Sequence, residues 1–333
     1  MLFEVSWVSV SASIAYVISS KGYKKKSLSK DGAIAAFIVG LISFLSSAQI
    51  GFVLIAFFLS SSILTRFGSE KKAKIEDGFK EGGERTTIQV VSNSLPAVAC
   101  ACLWLFYFGF TFTTQHTVLN IATLEQLRSS VSSVGTRLPE LLFAGIVAHY
   151  ACCCGDTWAS ELGSLAVNPP RLITNPFKLV PTGTNGGVSS TGLTASIFGG
   201  TFIGFLAYLT TSIFALISFV NGNDRFVLSG REATTAMLLV SNFHYVILGA
   251  FAGLFGSLLD SLLGATLQIS ILDKDTGRVL SHAENEVIAK ALKDKSRYIH
   301  ITGRNILDNH QVNLLSSTMI CVLAMLVHSL VRI

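Results

Sequence analysis

The sequence predicts an all-α, multi-pass membrane protein with about eight transmembrane helices, and a count of six to eight fits the pattern. Half of the 333 residues are apolar and 14% are charged, whereas soluble domains carry roughly 25% charged residues. The mean hydropathy is +0.57. The apolar residues gather into runs close to the length of about 20 residues that crosses the hydrocarbon core. We therefore expect one integral membrane domain over residues 1–333.

Eight apolar runs are candidate spans. The first is followed by lysines, an order that predicts a span with a cytosolic flank rather than a cleaved signal peptide. The second and third share one turn at Ser46–Gln49, which predicts a helical hairpin. The sixth would extend roughly 45 Å against a core of about 30 Å, so a break or kink is expected at Gly199–Gly200. The runs are 3–20, 32–48, 50–66, 89–112, 139–156, 191–220, 237–263 and 313–331.

The distribution of basic residues predicts the orientation, because cytosolic loops carry an excess of Lys and Arg. With eight spans, loops 21–31, 66–88, 164–190 and 264–312 lie on one side and hold 20 Lys and Arg, whereas the alternate loops hold 4. The basic side is predicted to be cytosolic, with both termini on the other side. The expected location is the endoplasmic reticulum or another endomembrane.

Two aspartates near the cytosolic ends of spans are the strongest functional candidates. Asp156 lies in "GDTWASELG" and Asp260 in "GSLLDSLLG", each in a helix rich in small residues. A carboxylate beside hydrocarbon is costly and marks a functional site by default. Two carboxylates suit Mg²⁺, which takes one or two of them plus waters and substrate phosphates. Transported protons or cations are the alternative occupants. Glu161, on the helix face next to Asp156, is a further candidate metal ligand.

A polar stripe and a Gly-rich loop are candidates for holding an anionic substrate. Arg85, Gln89 and Asn93 have the spacing of one helix face, with polar packing between helices as the alternative. The loop "PTGTNGG" lies close to Lys178 and precedes an apolar helix. Glycines and a helix N-terminus favour anions, although the Gly-Lys-Ser/Thr end of a Walker loop is missing. The alternative is a flexible turn. The candidate phosphate-binding residues of the loop are Thr182, Gly183, Thr184, Asn185, Gly186 and Gly187.

Residues 265–312 form the largest soluble segment, on the predicted cytosolic side. Its stretch "TLQISILDKDTGRVLSH" alternates around Asp-Lys-Asp-Thr-Gly, which is typical of a β-hairpin. A short helix is expected near 284–295, and Asn313, where the last span begins, is a candidate substrate-binding residue.

At the other end of the chain, Asp31 is expected to cap the second span, because Asp is favoured at helix N-caps.

Six motifs, taken in order, resemble the transmembrane protein 19 family of integral membrane proteins, and the resemblance runs from about residue 25 to the end. The plant plastid branch of that family resembles phytyl-phosphate kinases, which phosphorylate an isoprenyl monophosphate. The family is also distantly similar to CTP-dependent polyprenol kinases and CDP-diglyceride synthases. The resemblance implies that Asp156 and Asp260 hold Mg²⁺ and that Thr182–Gly187 bind phosphate. The motifs are "DGAIAAFIVG", "RTTIQVVSN", "GDTWASELG", "PTGTNGGVSSTG", "GSLLDSLLGATLQ" and "DNHQVNLLSS".

These observations predict a Mg²⁺-dependent kinase that transfers a phosphoryl group from a nucleoside triphosphate, with CTP as the first choice, to a lipid monophosphate such as an isoprenyl phosphate. Asp156 and Asp260 are the catalytic candidates, and Lys178 or Arg85 would help the Gly-rich loop to hold anionic groups. The expected partners are the bilayer, the lipid phosphate and the nucleotide, with no nucleic acid. The alternatives are a transporter, indicated by midplane charges and broken helices, and a non-catalytic protein that retains the fold.

Overall fold

The computed structural model describes residues 2–69, 83–116, 138–220, 242–281 and 285–331. Helices make up most of these residues, and seven of the eight predicted spans each lie mainly in one helix over their described part. The fourth predicted span, 89–112, is instead divided between two helices by a turn at Asn93–Ser94. The helices are α1 (Leu2–Lys24), α2 (Lys30–Ser46), α3 (Ala48–Arg66), α4 (Thr87–Ser92), α5 (Leu95–His116), α6 (Leu138–Gly163), α7 (Ser190–Val220), α8 (His244–Leu267), α9 (Asn285–Lys293) and α10 (Asn309–Val331).

Within the described residues, five helices are long and apolar enough to cross a membrane by length and composition: α3, α6, α7 over Ser190–Ile217, α8 and α10. The multi-pass membrane architecture agrees with the sequence. Helices α1, α2 and α5 also lie at predicted spans, and the total of eight crossings stays a prediction.

Helix α6 forms the centre of the bundle, with α3, α5, α7, α8 and α10 packed around it. Its stretch from Leu142 to Gly155 is buried. Close packing depends on small residues: a methyl group added at Gly155 would collide with the backbone of Gly253 and Ser196. Small residues let membrane helices approach one another closely. The glycines of α6 and α8 therefore hold together the part of the bundle that carries both candidate aspartates.

Helix α7 is continuous from Ser190 to Val220, so the predicted break at Gly199–Gly200 is wrong. These glycines form a helix contact instead. A methyl group at Gly200 would collide with the backbone of Gly249 and Gly253 on α8. A helix longer than the hydrocarbon core can tilt or extend beyond it, so its length requires no break.

Two small antiparallel sheets lie between helices, so the all-α prediction describes only the membrane part. The first sheet, between α6 and α7, was not predicted. In the second, Ile271 on β4 (Ser270–Asp273) lies opposite Leu280 on β5 (Val279–Leu280), and β6 (Tyr298–Thr302) adds a strand that the hairpin prediction lacked. Helix α9 lies where the short helix was expected, near 284–295. The strands are β1 (Arg171–Leu172), β2 (Asn175–Leu179), β3 (Gly187–Val188), β4 (Ser270–Asp273), β5 (Val279–Leu280) and β6 (Tyr298–Thr302).

The junction between α1 and α2 is tied to the segment before α4. Ser29, not Asp31, is the N-cap of α2, because its Oγ accepts the Gly32 N–H at 3.0 Å. The predicted cap at Asp31 is therefore wrong. Asp31 lies inside the helix, and its Oδ2 accepts from the Thr87 backbone N–H at 3.1 Å and from the Thr87 hydroxyl at 2.9 Å. Leu28 and Arg85 form a β-bridge beside this contact.

Candidate functional site

A polar cleft of about 850 Å³ opens at the end of the bundle where α6 and α8 end and where α7 and α10 begin. Asp156 and Asp260 both line this cleft. Each aspartate lies seven residues before the last residue of its helix, Gly163 in α6 and Leu267 in α8. The two carboxylates therefore lie at matching depth near one end of the bundle.

Hydroxyl and amide groups donate hydrogen bonds to the two aspartates. The Ser257 hydroxyl donates to Asp156 Oδ1 at 3.2 Å, and the Ser316 hydroxyl donates to Asp260 Oδ2 at 3.0 Å. With its amide oriented to satisfy both neighbours, Asn313 donates to Asp260 Oδ2 at 3.2 Å. The two carboxylates also interact electrostatically. Like charges repel, so a cation between them would stabilise the arrangement.

The donor set fits Mg²⁺ as a pair of carboxylates and not as a trio. Among the described residues, no group of three His, Cys, Asp or Glu could hold a metal ion, so nothing in the structure places Glu161 as a third ligand beside the two aspartates. Glu161 lines the cleft, but its charge acts on Arg85. Mg²⁺ keeps several waters and binds phosphate oxygens, so a pair of carboxylates such as Asp156 and Asp260 is a set of protein donors that this ion accepts.

The Gly-rich loop, Thr182–Gly187, lines the cleft and packs on α8. Gly183 and Gly186 have φ angles of +90° and +74°, which glycine adopts without strain. A methyl group at Gly186 would also collide with Ala265 and with the Ser261 carbonyl. The glycine is therefore required both by the turn and by the close approach of the loop to the helix that carries Asp260.

Part of the loop is engaged in holding its own shape. The Thr184 hydroxyl and N–H donate to the Pro181 carbonyl at 2.7 and 3.2 Å, and the Gly187 N–H donates to the Thr184 carbonyl at 2.9 Å. Asn185 donates from its N–H to Ser270 Oγ at 3.0 Å and from its amide to the Ile269 carbonyl at 3.2 Å. Donors already bonded within the protein are not free for a phosphate. Thr182, Gly183 and Gly186 remain the loop's candidates for that contact.

Arg85 and Gln89 line the cleft, but the predicted helical stripe through Asn93 is wrong. Helix α4 begins at Thr87 and ends at Ser92, so Arg85 precedes it and Asn93 follows it. The side-chain Oε1 of Gln89 accepts the Thr86 backbone N–H at 2.9 Å and completes a capping box. This leaves the amide N–H groups of Gln89 as donors for a substrate.

Arg85 brings positive charge to the cleft. Its Nη1 donates to Ser62 Oγ at 2.8 Å, and its guanidinium lies 5.7 Å from the centre of the Phe58 ring. Burial lowers the pKa of Arg85, and the Glu161 charge partly offsets this effect. A guanidinium remains protonated in proteins.

Lys178 and Asn93 do not line the cleft. Lys178 lies on β2, and its Nζ donates to the Ile301 carbonyl at 3.0 Å. Proximity along the chain to the Gly-rich loop therefore does not bring this amine to the candidate phosphate site. Asn93 lines a neighbouring apolar cavity, and its carbonyl contacts His149 Nε2 at 2.9 Å.

Three polar residues around the cleft were not predicted from the sequence. Ser257 and Ser316 hydrogen-bond the aspartates, and each lies three residues from Asp260 or Asn313 on the same helix. That spacing was readable from the motifs. Asp308 lines the cleft and forms a capping box with Gln311, with hydrogen bonds of 2.8 and 3.0 Å. The Asp-x-x-Gln pattern of "DNHQ" was its signal.

The family described as Integral membrane protein DUF92 matches residues 13–321. The chain belongs to this family. Protein PGR of Arabidopsis thaliana is 38% identical over 308 residues, covering 91% of this chain and 90% of that protein. Protein VTE6, chloroplastic, of the same plant is 25% identical over 177 residues, covering 53% and 45%. An uncharacterized membrane protein of Methanocaldococcus jannaschii is 26% identical over 261 residues, covering 78% and 82%. No solved structure matches. The family assignment made from the motifs is confirmed.

Proposed function

We propose that this DUF92 chain is a membrane-embedded, Mg²⁺-dependent kinase that transfers a phosphoryl group from a nucleoside triphosphate, CTP by preference, to a lipid monophosphate such as an isoprenyl phosphate. One observation carries the proposal: Asp156, Asp260, Arg85 and the Gly-rich loop line a single polar cleft at the end of the bundle. Phosphoryl transfer is catalysed mainly by positioning and by neutralising charge. A lipid phosphate requires such a polar site next to an apolar one.

In the proposed reaction, an oxygen of the lipid phosphate forms a bond to the γ-phosphorus of the nucleotide. The bond from that phosphorus to the oxygen bridging to the β-phosphate breaks, and the nucleoside diphosphate leaves. Asp156 and Asp260 would hold Mg²⁺, which supplies neutralisation of phosphate charge when bound. Arg85 would bind an anionic oxygen of the acceptor. A phosphate monoester is already largely ionised near neutral pH, since its second pKa is about 6, so the acceptor needs no strong base.

We further propose that all eight apolar helices cross the membrane and that the cleft faces the cytosol, in the endoplasmic reticulum or another endomembrane. Loop 164–190, which carries the Gly-rich loop, and loop 264–312, which carries β4 to β6, both belong to the side that holds 20 of the counted Lys and Arg. Nucleotide and cleft would then share a compartment. Because α7 is continuous, the break predicted at Gly199–Gly200 no longer favours a transporter.

The test is a transfer assay on purified protein in detergent with Mg²⁺ and CTP or ATP carrying a labelled γ-phosphate. Farnesyl, geranylgeranyl and phytyl monophosphates are offered as acceptors, and the diphosphate product is separated by chromatography. Asp156→Asn and Asp260→Asn are assayed in parallel with Asp275→Asn, whose side chain is 66% exposed in the β4–β5 turn.

The proposal requires a lipid diphosphate from wild-type protein and from Asp275→Asn, and its loss in both cleft variants. Absence of product with every donor and acceptor, from monodisperse and folded protein, would contradict the kinase. Ion transport by the two aspartates would then be the next hypothesis to test.

A further inference from the structure

An apolar cavity adjoins the polar cleft. It lies among α1, α2, α3 and α4, has a volume of about 70 Å³ and is lined mainly by aliphatic and aromatic side chains. Arg85 and Gln89 line both the apolar cavity and the cleft. One wall is therefore shared, and its polar groups mark the point where the apolar cavity meets the cleft.

The apolar cavity follows the axis of α2 into the membrane domain. Ala36, Val39, Gly40 and Phe44 line it at spacings that place them on one face of α2. Phe44 lies roughly 20 Å beyond Lys30 at a rise of 1.5 Å per residue. The apolar cavity thus begins at the polar groups beside the cleft and continues among apolar side chains.

Arg85 is fixed at this point by the junction between α1 and α2. Its N–H donates to the Ser27 carbonyl at 3.1 Å, and its carbonyl accepts the Ser29 N–H at 3.0 Å. Gly32 packs against the backbone of Arg85, since a methyl group at position 32 would collide with the Arg85 carbonyl. The backbone of Arg85 is therefore fixed at the junction, and the residue lines both the apolar cavity and the cleft.

We propose that the apolar cavity holds the first isoprene units of the lipid acceptor, with the phosphate at Arg85 and Gln89 facing the cleft. This inference rests on the proposed function, because it assigns the acceptor's tail to one side of the same site. Charge complementarity selects the occupant: an anionic head pairs with Arg85, and an apolar tail matches the walls beyond it. The volume is smaller than a whole farnesyl chain, so the apolar cavity is assigned only the first units of a long tail.

The experiment is photo-crosslinking of purified protein with farnesyl monophosphate that carries a diazirine in its first isoprene units, without any nucleotide. Labelled peptides are located by mass spectrometry, with unlabelled farnesyl monophosphate or farnesol as competitor. Ala36→Leu fills the apolar cavity, and Ala35→Leu makes the same change one position away, at a residue outside its lining. Ser19→Leu, on α1, fills the same space if Ala36→Leu does not fold.

We expect labels on α1, α2 and α3, competition by the monophosphate but not by farnesol, and about a tenfold loss of labelling in Ala36→Leu with none in Ala35→Leu. Labels spread over the outer faces of α7, α8 and α10, or equal labelling of the two variants, would overturn the assignment. Labelling of the apolar cavity in protein that forms no diphosphate would support the tail site and overturn only the kinase.

Discussion

Asp273 in the second sheet and the two aspartates of the cleft hold their charge in opposite ways. Asp273 is 7% exposed at its side chain and accepts from Arg297 Nε at 3.0 Å and from Arg297 Nη2 at 2.7 Å. Asp156 and Asp260 interact with each other's charge and accept from neutral donors. A carboxylate matched by an arginine stabilises the fold, whereas a repelling pair in a cleft lowers stability. This contrast supports the proposal that the acids of the cleft serve a ligand.

Arg297 of the second sheet and Arg85 of the cleft also differ in the groups that their side chains contact. Arg297 contacts Asp273, lies 3.2 Å from Asp275 and stacks over the Tyr298 ring at 5.1 Å. Arg85 hydrogen-bonds the neutral Ser62 and lies where the apolar cavity meets the cleft. The Glu161 charge also acts on Arg85, but the described side-chain hydrogen bond of Arg85 is to a neutral hydroxyl, whereas Arg297 donates to a carboxylate.

The largest expected effect separates the two kinds of aspartate by activity. Asp156→Asn and Asp260→Asn should each lower phosphoryl transfer by roughly 100-fold or more, in the range seen when one charge-stabilising group is removed from a site. Asp273→Asn should leave the turnover of folded protein unchanged. The measurement is the initial rate per mole of monodisperse protein. Equal losses of activity in all three variants would contradict the distinction between Asp273 and the two aspartates of the cleft.

A smaller loss is expected when the position of Arg85 is disturbed without changing its charge. Gly32→Ala places a methyl group against the Arg85 carbonyl and should slow transfer by about 10- to 100-fold, because small displacements of a positioning group are costly. Gly277→Ala strains a turn away from the cleft at φ +69° and serves as the control. A wild-type rate in Gly32→Ala would contradict the proposal that the position of Arg85 matters for phosphoryl transfer.

In the second sheet, we expect a substitution to lower stability without lowering activity. Arg297→Met leaves the Asp273 carboxylate without its cation, so the thermal midpoint should fall by several degrees while the turnover of the remaining folded protein is retained. Thermal unfolding followed by tryptophan fluorescence measures the shift. An unchanged midpoint would mean that this ion pair contributes nothing to stability, and the contrast with the cleft would weaken.

The smallest expected effect is a pH dependence confined to the sheet. Hydrogen bonds from Arg297 hold the pKa of Asp273 well below its ordinary value. The folded pKa is therefore the lower one. The stabilisation is full above the unfolded value of about 3.9 and is lost as pH falls toward the folded pKa. Between neutral pH and pH near 4, the midpoint difference between wild type and Asp273→Asn should stay constant, and it should shrink below that range. A difference that shrinks already near neutral pH would contradict this assignment.

Features that depend on residue type and local spacing could be predicted from the sequence. Apolar runs of membrane length predicted the helices, and the cost of a carboxylate beside hydrocarbon singled out Asp156 and Asp260. The crowded glycines of Thr182–Gly187 marked a loop that does line the cleft. These predictions needed only residue types and spacing.

The errors came from contacts distant in sequence. Asp31 and Ser29 are both good caps, and the choice followed from Thr87, which lies 56 positions away and engages Asp31. Gly199–Gly200 suggested a break, but Gly199 packs against α6 and Gly200 packs against α8. Lys178 is near the Gly-rich loop in the chain, yet its amine reaches Ile301. Strands of two residues, such as β1 and β3, carry no periodic signal.

Thermal unfolding of wild type, Asp156→Asn and Asp260→Asn, with and without Mg²⁺ and CTP, tests most directly whether the cleft acids serve a ligand. Without ligand, both variants should be at least as stable as wild type, because neutralising one acid removes repulsion. With Mg²⁺ and CTP, only wild type should gain stability, since binding to the folded state raises its midpoint. Variants that are less stable without ligand, yet gain as much as wild type with it, would contradict the account.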